Sequence, residues 1–334
     1  MAIISRRYQR IILISIVFSS LVYLSYTFFE PVPLSAEPPF HEQASSTPQE
    51  DDDNTYRYSK ETPQSDQKEL VVASLVGDET DWLDQYFGNW TKNIYIVNNQ
   101  SAPLTVAVNK GREAMPFLTY IITRYATLPD VSIFIHSKRY QWHNEDPMYD
   151  GVPVLQMLRL PQVQKKGYVA LRCSWTMGCP AELHPLHPSD GSDDRSQNER
   201  AYAKAFRFLL PDEPIPEIVG AHCSSQFAVS RDRIHARPLA HYEKIQRWLL
   251  ETDLDDQISG RVIEYMWHII FGMPGVDCQD TGECFCETFG LCNLTCTRGA
   301  CEKRYQLPQY ATIPQGWPEV GPGQDGWPAK GWAD

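Results

Sequence analysis

His136 ends a short run of β-branched and aromatic residues, Val131-Ser132-Ile133-Phe134-Ile135, and begins a stretch of His, Lys, Arg, Trp, Asn and carboxylates reaching Asp146. The run reads as a buried strand. A buried strand whose carboxyl end spills into polar side chains is where open α/β folds place ligands. The plainer reading is a surface loop after a core strand. Upstream, Asn109-Lys110-Gly111-Arg112-Glu113 precedes an amphipathic run. A helix starting there would offer free N–H groups and partial positive charge to a phosphate, with Lys110 and Arg112 adding to the attraction. The same residues also make a simple turn with Glu113 in the first helical turn.

Glu264 and His268 stand four apart in an otherwise apolar helical pattern, which would put both side chains on one face. A buried carboxylate and imidazole need partners, so they form either a candidate acid–base pair or a satisfied core hydrogen bond. A third cluster, His184, His187, Asp190, Asp193 and Asp194, lies in an irregular polar loop. Its oxygens suit a hard divalent cation, although such loops are commonly only solvated. The chain contains no P-loop, H-E-x-x-H or G-x-S-x-G.

These residues need a scaffold, and the pattern supplies one from Glu69 onward. Strands are expected over Leu70–Val76, Ile94–Val97, Leu104–Val108, Val131–Ile135 and Tyr168–Leu171. Helices are expected over Asp81–Trp90, from Phe117 to Tyr125, around Val154–Leu160, over Glu199–Leu210 and over Leu239–Leu250. Ile218–Ala221 and Gln226–Val229 read as a strand pair, and Ser259 as the cap of a buried helix reaching Phe271. The alternation implies an α/β fold, a three-layer sandwich on a mostly parallel sheet.

Residues 11–29 carry no charge and follow Arg6, Arg7 and Arg10, so they read as an uncleaved transmembrane signal anchor behind a cytoplasmic tail, residues 1–10. That makes a single-pass type II protein of the endoplasmic reticulum or Golgi with a luminal body. The sequons at Asn89, Asn99 and Asn293 agree with a glycoprotein. Residues 30–68, rich in Pro, Ser, Gln and acids, form a flexible stem. The α/β domain spans 69–274, a disulfide-rich segment 275–303, and a loosely ordered Pro/Gly/Trp tail 304–334. A net charge of −12 over 334 residues argues against a nucleic-acid surface.

Six of the nine cysteines, Cys278, Cys284, Cys286, Cys292, Cys296 and Cys301, crowd the tail, with Cys173, Cys179 and Cys223 in the body. The spacing lacks the paired C-x2-C of structural zinc sites and reads as a disulfide knot. All of them except Cys223 are disulfide candidates; the odd total leaves one thiol over.

Taken together, Asn109-x-Gly111-x-Glu113, Phe117-Leu118-x-Tyr120-Ile121-Ile122, Leu128-Pro129-Asp130 and Ile133-Phe134-x-His136 resemble a family of fungal proteins of unknown function, often membrane-anchored. Gln226-Phe227-Ala228-Val229-Ser230-Arg231, Arg237-Pro238, Tyr242 and Ser259-Gly260-Arg261-Val262-x-Glu264-Tyr265-x-Trp267 continue the likeness, which covers residues 69 to 272. That family in turn resembles the nucleotide-sugar glycosyltransferases of the A-type fold. The resemblance implies glycosyl transfer in the secretory pathway, from a nucleotide sugar to a glycan, protein or small-molecule acceptor. It puts the nucleotide near Asn109, Lys110 and Gly111, with Glu113 and Gln226 as further substrate contacts. His136 would lie at the reaction centre, Glu264 would be the base, and His268 its neighbour. Two departures stand out. His136-Ser137-Lys138 replaces the Asp-x-Asp that holds a divalent cation in A-type transferases, and Ser224-Ser225 replaces the adjacent cysteines often found in the family. Two other functions fit the residues: a membrane-tethered tailoring enzyme of fungal secondary metabolism, and a non-catalytic cell-wall or carbohydrate-binding protein.

Overall fold

The computed structural model describes residues 67–146, 149–175 and 177–301. The expected anchor, the stem before residue 67 and the tail after 301 lie outside these. No helix among the described residues is long and apolar enough to cross a membrane.

In chain order the elements are β1 (Lys68–Ser74), α1 (Asp81–Phe87), β2 (Thr91–Ile96), α2 (Ala114–Arg124) and β3 (Val131–His136). Next come α3 (Gly151–Met157), α4 (Leu160–Lys166), β4 (Tyr168–Ala170), α5 (Asp194–Leu209), β5 (Gly220–Ala221) and β6 (Phe227–Ser230). The remainder is α6 (Arg231–His235), α7 (Leu239–Glu251), α8 (Asp256–Glu264), α9 (Trp267–Ile270), β7 (Val276–Asp277), α10 (Thr281–Phe289), β8 (Cys296–Thr297) and β9 (Ala300–Cys301).

The fold is α/β around a five-stranded sheet of order β2-β1-β3-β6-β4. The first three strands are parallel, as expected. β6 is antiparallel to both β3 and β4, so the sheet is mixed rather than mostly parallel. Alternation decides the two faces. Val71, Phe134, Phe227 and Val229 point into one apolar cluster with residues of α2, α5, α7, α8 and α9. Leu70, Val72, Ile133, Ile135 and Ala228 point into a second, with residues of α1, α3, α4 and α10. In the first, Phe227 packs at ring-centroid distances of 4.8 Å from Phe134 and 5.4 Å from Trp267. Aromatic pairs of this kind add about 0.5–1.5 kcal/mol beyond their area.

Four expectations need correction. Leu104–Val108 is not a strand; beside Pro103, which has no donor, it makes one backbone bond to β2, Ile96 N–H to the Leu104 carbonyl at 3.0 Å. β5 does not pair with β6. It lies parallel to β7, and the five residues that separate it from β6 include Ser225 in a left-handed conformation (φ 50°). Asp255, not Ser259, caps the helix that follows, accepting the Ile258 N–H at 2.8 Å. That helix does not run on to Phe271 but breaks between α8 and α9, where Tyr202 donates its hydroxyl to the Tyr265 carbonyl at 3.1 Å. A side chain inserted into the backbone ladder is a recognised cause of such breaks.

The cysteine-rich segment is not a self-contained knot. Cys173–Cys284 and Cys179–Cys278 tie it to the body, while Cys286–Cys292 and Cys296–Cys301 close short loops within it. Every disulfide candidate is therefore paired, and Cys223 is a buried free thiol. Phe285 and Phe289 of α10 belong to the second apolar cluster, so this segment completes the core.

Candidate functional site

The carboxyl ends of β1 and β3 and the amino end of α2 converge. Asp78 joins the strand ends, accepting the Leu75 N–H at 2.8 Å and the Ser137 hydroxyl at 2.6 Å. Below them lies a cavity of about 380 Å³ whose lining includes Asn109, Arg112, Glu113, His136, Lys138 and Asp256.

His136 is held through its backbone. Its N–H donates to Gln226 Oε1 at 3.0 Å, and Gln226 Nε2 donates in turn to Asn144 Oδ1 at 3.1 Å. Gln226 thus acts as a clamp across β3 and β6. The His136 ring meets His143 edge-on at 4.3 Å, and its Nε2 lies 4.0 Å from Glu113 Oε2. That nitrogen is buried and has no hydrogen-bond partner. Burial lowers the His136 pKa, with the Glu113 carboxylate opposing the shift. His143 is pushed further down, by burial first and then by the charge His136 would carry. Both imidazoles are therefore neutral at neutral pH, and His136 presents a ring nitrogen able to take a proton.

Glu264 sits one layer back from the cavity. Its Oε1 accepts the Cys223 thiol at 3.1 Å and its Oε2 lies 3.2 Å from Arg261 Nε. Burial raises the Glu264 pKa against the pull of Arg261, and burial likewise raises that of Cys223. His268 is not brought to Glu264. The break between α8 and α9 separates them; buried His268 Nε2 pairs with the Gly275 carbonyl at 3.1 Å, and burial lowers its pKa to about 4. Of the expected nucleotide contacts Asn109, Arg112 and Glu113 line the cavity, whereas Lys110 and Gly111 do not. The Gly111 N–H is already taken by Asp256 Oδ1 at 3.1 Å, and the Lys110 ammonium donates to the Thr252 carbonyl. Gly111 itself is needed there: its φ is +68° and an added Cβ would stand 2.7 Å from Leu249 Cδ2.

A buried charge pair was not singled out from the sequence. Glu145 accepts the N–H groups of Cys173 and Ser174 at 2.9 and 3.0 Å and the Ser174 hydroxyl at 2.7 Å. Arg172 Nε lies 3.9 Å away, its Nη1 donates to the Cys223 carbonyl at 3.1 Å, and the guanidinium stands 5.0 Å from the Trp142 ring. The only sequence signal was that both follow core strands. Arg112 and Tyr149, like Ser225, are non-glycine residues with left-handed backbones (φ 55° and 58°). Each costs about 1–3 kcal/mol, and such strain collects at functional sites.

The His and Asp loop is structural: Asp193 caps α5, accepting the Ser196 N–H at 3.0 Å, and Gln257 donates to Asp194 Oδ2 at 2.9 Å. No three His, Cys, Asp or Glu side chains among the described residues are grouped to hold a metal ion, so the considered divalent cation has no ligand set there. The sequon residues Asn89 and Asn293 are exposed, while Asn99 is half-buried and accepts the Ser101 N–H.

Fold and site thus define an α/β protein with a polar cavity at the carboxyl ends of its parallel strands. The chain belongs to a family described as proteins of unknown function (DUF3431), whose model matches residues 70–287. That span contains the whole cavity and runs into α10. No curated protein and no solved structure matches the chain.

Proposed function

We propose that this chain is a secretory-pathway glycosyltransferase-like enzyme with its reaction centre at His136. The observation that carries the reading is the buried, unpartnered Nε2 of His136, a residue kept neutral by burial that lines a cavity of ligand size at the end of the central strand. In the proposed step an acceptor hydroxyl passes its proton to that nitrogen as its oxygen bonds to the anomeric carbon. The bond from that carbon to the nucleotide diphosphate breaks, and the diphosphate leaves with the electron pair. Arg112 and Lys138 in the lining supply positive charge toward the leaving group. Glu113 stabilises the imidazolium as it forms. Glu264, engaged by Cys223 and Arg261, is assigned to holding the wall behind the site.

The donor class rests on the likeness to A-type transferases, and the fungal origin on the likeness to the fungal family of unknown function. The luminal placement rests on the apolar run 11–29 and on the exposed sequons at Asn89 and Asn293. Thermal denaturation with a panel of nucleotide sugars tests the reading. At a hundredfold excess over Kd, a true donor stabilises the fold by about 2.7 kcal/mol, which registers as several degrees. If no nucleotide sugar shifts the melt, the transferase reading fails. Stabilisation by free glycans alone would then favour a binding protein, and by neither a tailoring enzyme.

A further inference from the structure

A second cavity, of about 450 Å³, lies at the far edge of the sheet, between β4 and the disulfide-tied segment that carries β7 and α10. It shares no lining residue with the His136 cavity. Three of its lining side chains, Arg172, His222 and Thr288, carry polar atoms that are buried and have no hydrogen-bond partner: Arg172 Nη2, His222 Nε2 and the Thr288 hydroxyl. Arg172 and Thr288 are each only 1 % exposed. Leaving such groups unpaired costs about 1–3 kcal/mol apiece, so a cavity lined by three of them calls for a polar occupant.

The chemistry of the lining narrows that occupant. His222 Nδ1 lies 3.4 Å from the Ser174 carbonyl, which can only accept, so Nδ1 holds the proton and Nε2 is left as an acceptor. Burial keeps this imidazole neutral, with its pKa near 4. Arg172 can only donate, whereas the Thr288 hydroxyl does both. Asp277 adds a carboxylate, and Lys166 and Glu287 form an ion pair at 2.9 Å. The two cations and two anions in the wall cancel, which disfavours a phosphate as much as an ammonium. Donors and acceptors are both present, and Val169 and Met273 contribute apolar surface. Such a wall suits a molecule whose every polar group both donates and accepts, set on a ring with an apolar face. Two disulfides, Cys173–Cys284 and Cys179–Cys278, fasten the opposing walls, so the cavity is held open in advance of binding.

We infer that this edge cavity is a binding site for a neutral sugar ring, such as a residue of a glycan chain, separate from the His136 centre. The inference does not depend on transferase activity. It is tested on the full-length protein with glucose, mannose, galactose, N-acetylglucosamine and their disaccharides, and with inorganic phosphate as the charged control, titrated by calorimetry. At least one saccharide binds, phosphate does not compete, and Thr288→Val and Asp277→Asn each weaken binding tenfold or more. A diazirine derivative of the binding sugar is then expected to label peptides within 166–172 or 277–288, which keeps the test informative should either variant fold poorly. Absence of saccharide binding, displacement by phosphate, or labelling confined to other peptides would overturn the inference. Nucleotide-sugar turnover has no bearing on any of these outcomes.

Discussion

The two halves of the sheet are built on different principles. β2, β1 and β3 are parallel, carry no disulfide, and are held chiefly by their apolar faces, with Glu69 of β1 gathering Asn93, Tyr120 and Arg124; their ends open on a polar cavity. β6 and β4 run antiparallel, and the chain leaving β4 is tied down by two long-range disulfides and the Glu145–Arg172 pair. A half held by burial can leave its strand ends free for a ligand. A half with a three-residue edge strand needs covalent and charged ties to stay in place. Changes in the second half should therefore be read first in stability, and changes at the mouth of the first in activity.

The largest effect is expected from the disulfides. Opening both long-range ties, of 111 and 99 residues, removes at least about 4.8 kcal/mol in the chain-entropy model, against about 2 kcal/mol for Cys296–Cys301, only 5 apart; either long tie alone would still close most of the other's loop. Urea denaturation of a variant with Cys173, Cys284, Cys179 and Cys278 all replaced by Ser, and of a Cys296→Ser/Cys301→Ser variant, should show that order. Equal losses would mean that the long-range ties do not hold the edge. Glu145→Ala comes next: it strips three hydrogen bonds and strands Arg172, so it should cost about 3–5 kcal/mol. Gly111→Ala should cost about 1–3 kcal/mol, from the left-handed backbone and the contact with Leu249.

Smaller still, but sharper, is the pH response. Catalysis by neutral His136 requires that the rate hold as pH falls past 6.5, the ordinary histidine value, and decline only below it, because burial lowers this pKa. Glu113 opposes that shift, so Glu113→Gln should move the acid limb to still lower pH. A limb unmoved or moved upward would detach Glu113 from His136. For Glu264 the sign is reversed: its folded pKa lies above the unfolded 4.5, so its stabilising share is full below that value and fades as pH rises through the folded pKa. Glu264→Gln should remove that dependence from the melting profile and leave turnover within about tenfold of the parent.

The first half was the more legible of the two in sequence. The apolar run Val131–Ile135 ending on His136 marked both a central strand and the end at which the polar cavity opens, because burial and polarity change there within one residue. Gly111 stood out as a turn, but the use of its N–H by Asp256, 145 residues on, depends on where α8 docks. The direction of β6 was hidden because a short, fully buried strand reads alike in either orientation. Glu264 and His268 misled for a related reason: their spacing implies one face only if the helix is continuous, and the break is made by Tyr202, from α5. Glu145 and Arg172 looked like loop charges until folding brought Cys173, Ser174 and Cys223 around them.

The central claim, that His136 is the reaction centre of a transferase, is tested most directly by one comparison. Purified full-length protein and its His136→Ala variant are incubated with nucleotide sugars and a pool of hydroxyl acceptors, and release of the nucleotide diphosphate is followed. The expected result is turnover of at least one donor by the parent and a loss of about 10²–10⁴-fold in the variant, with melting temperatures that agree closely. A His136→Ala protein that melts normally and turns over its donor at the parent rate would contradict the account.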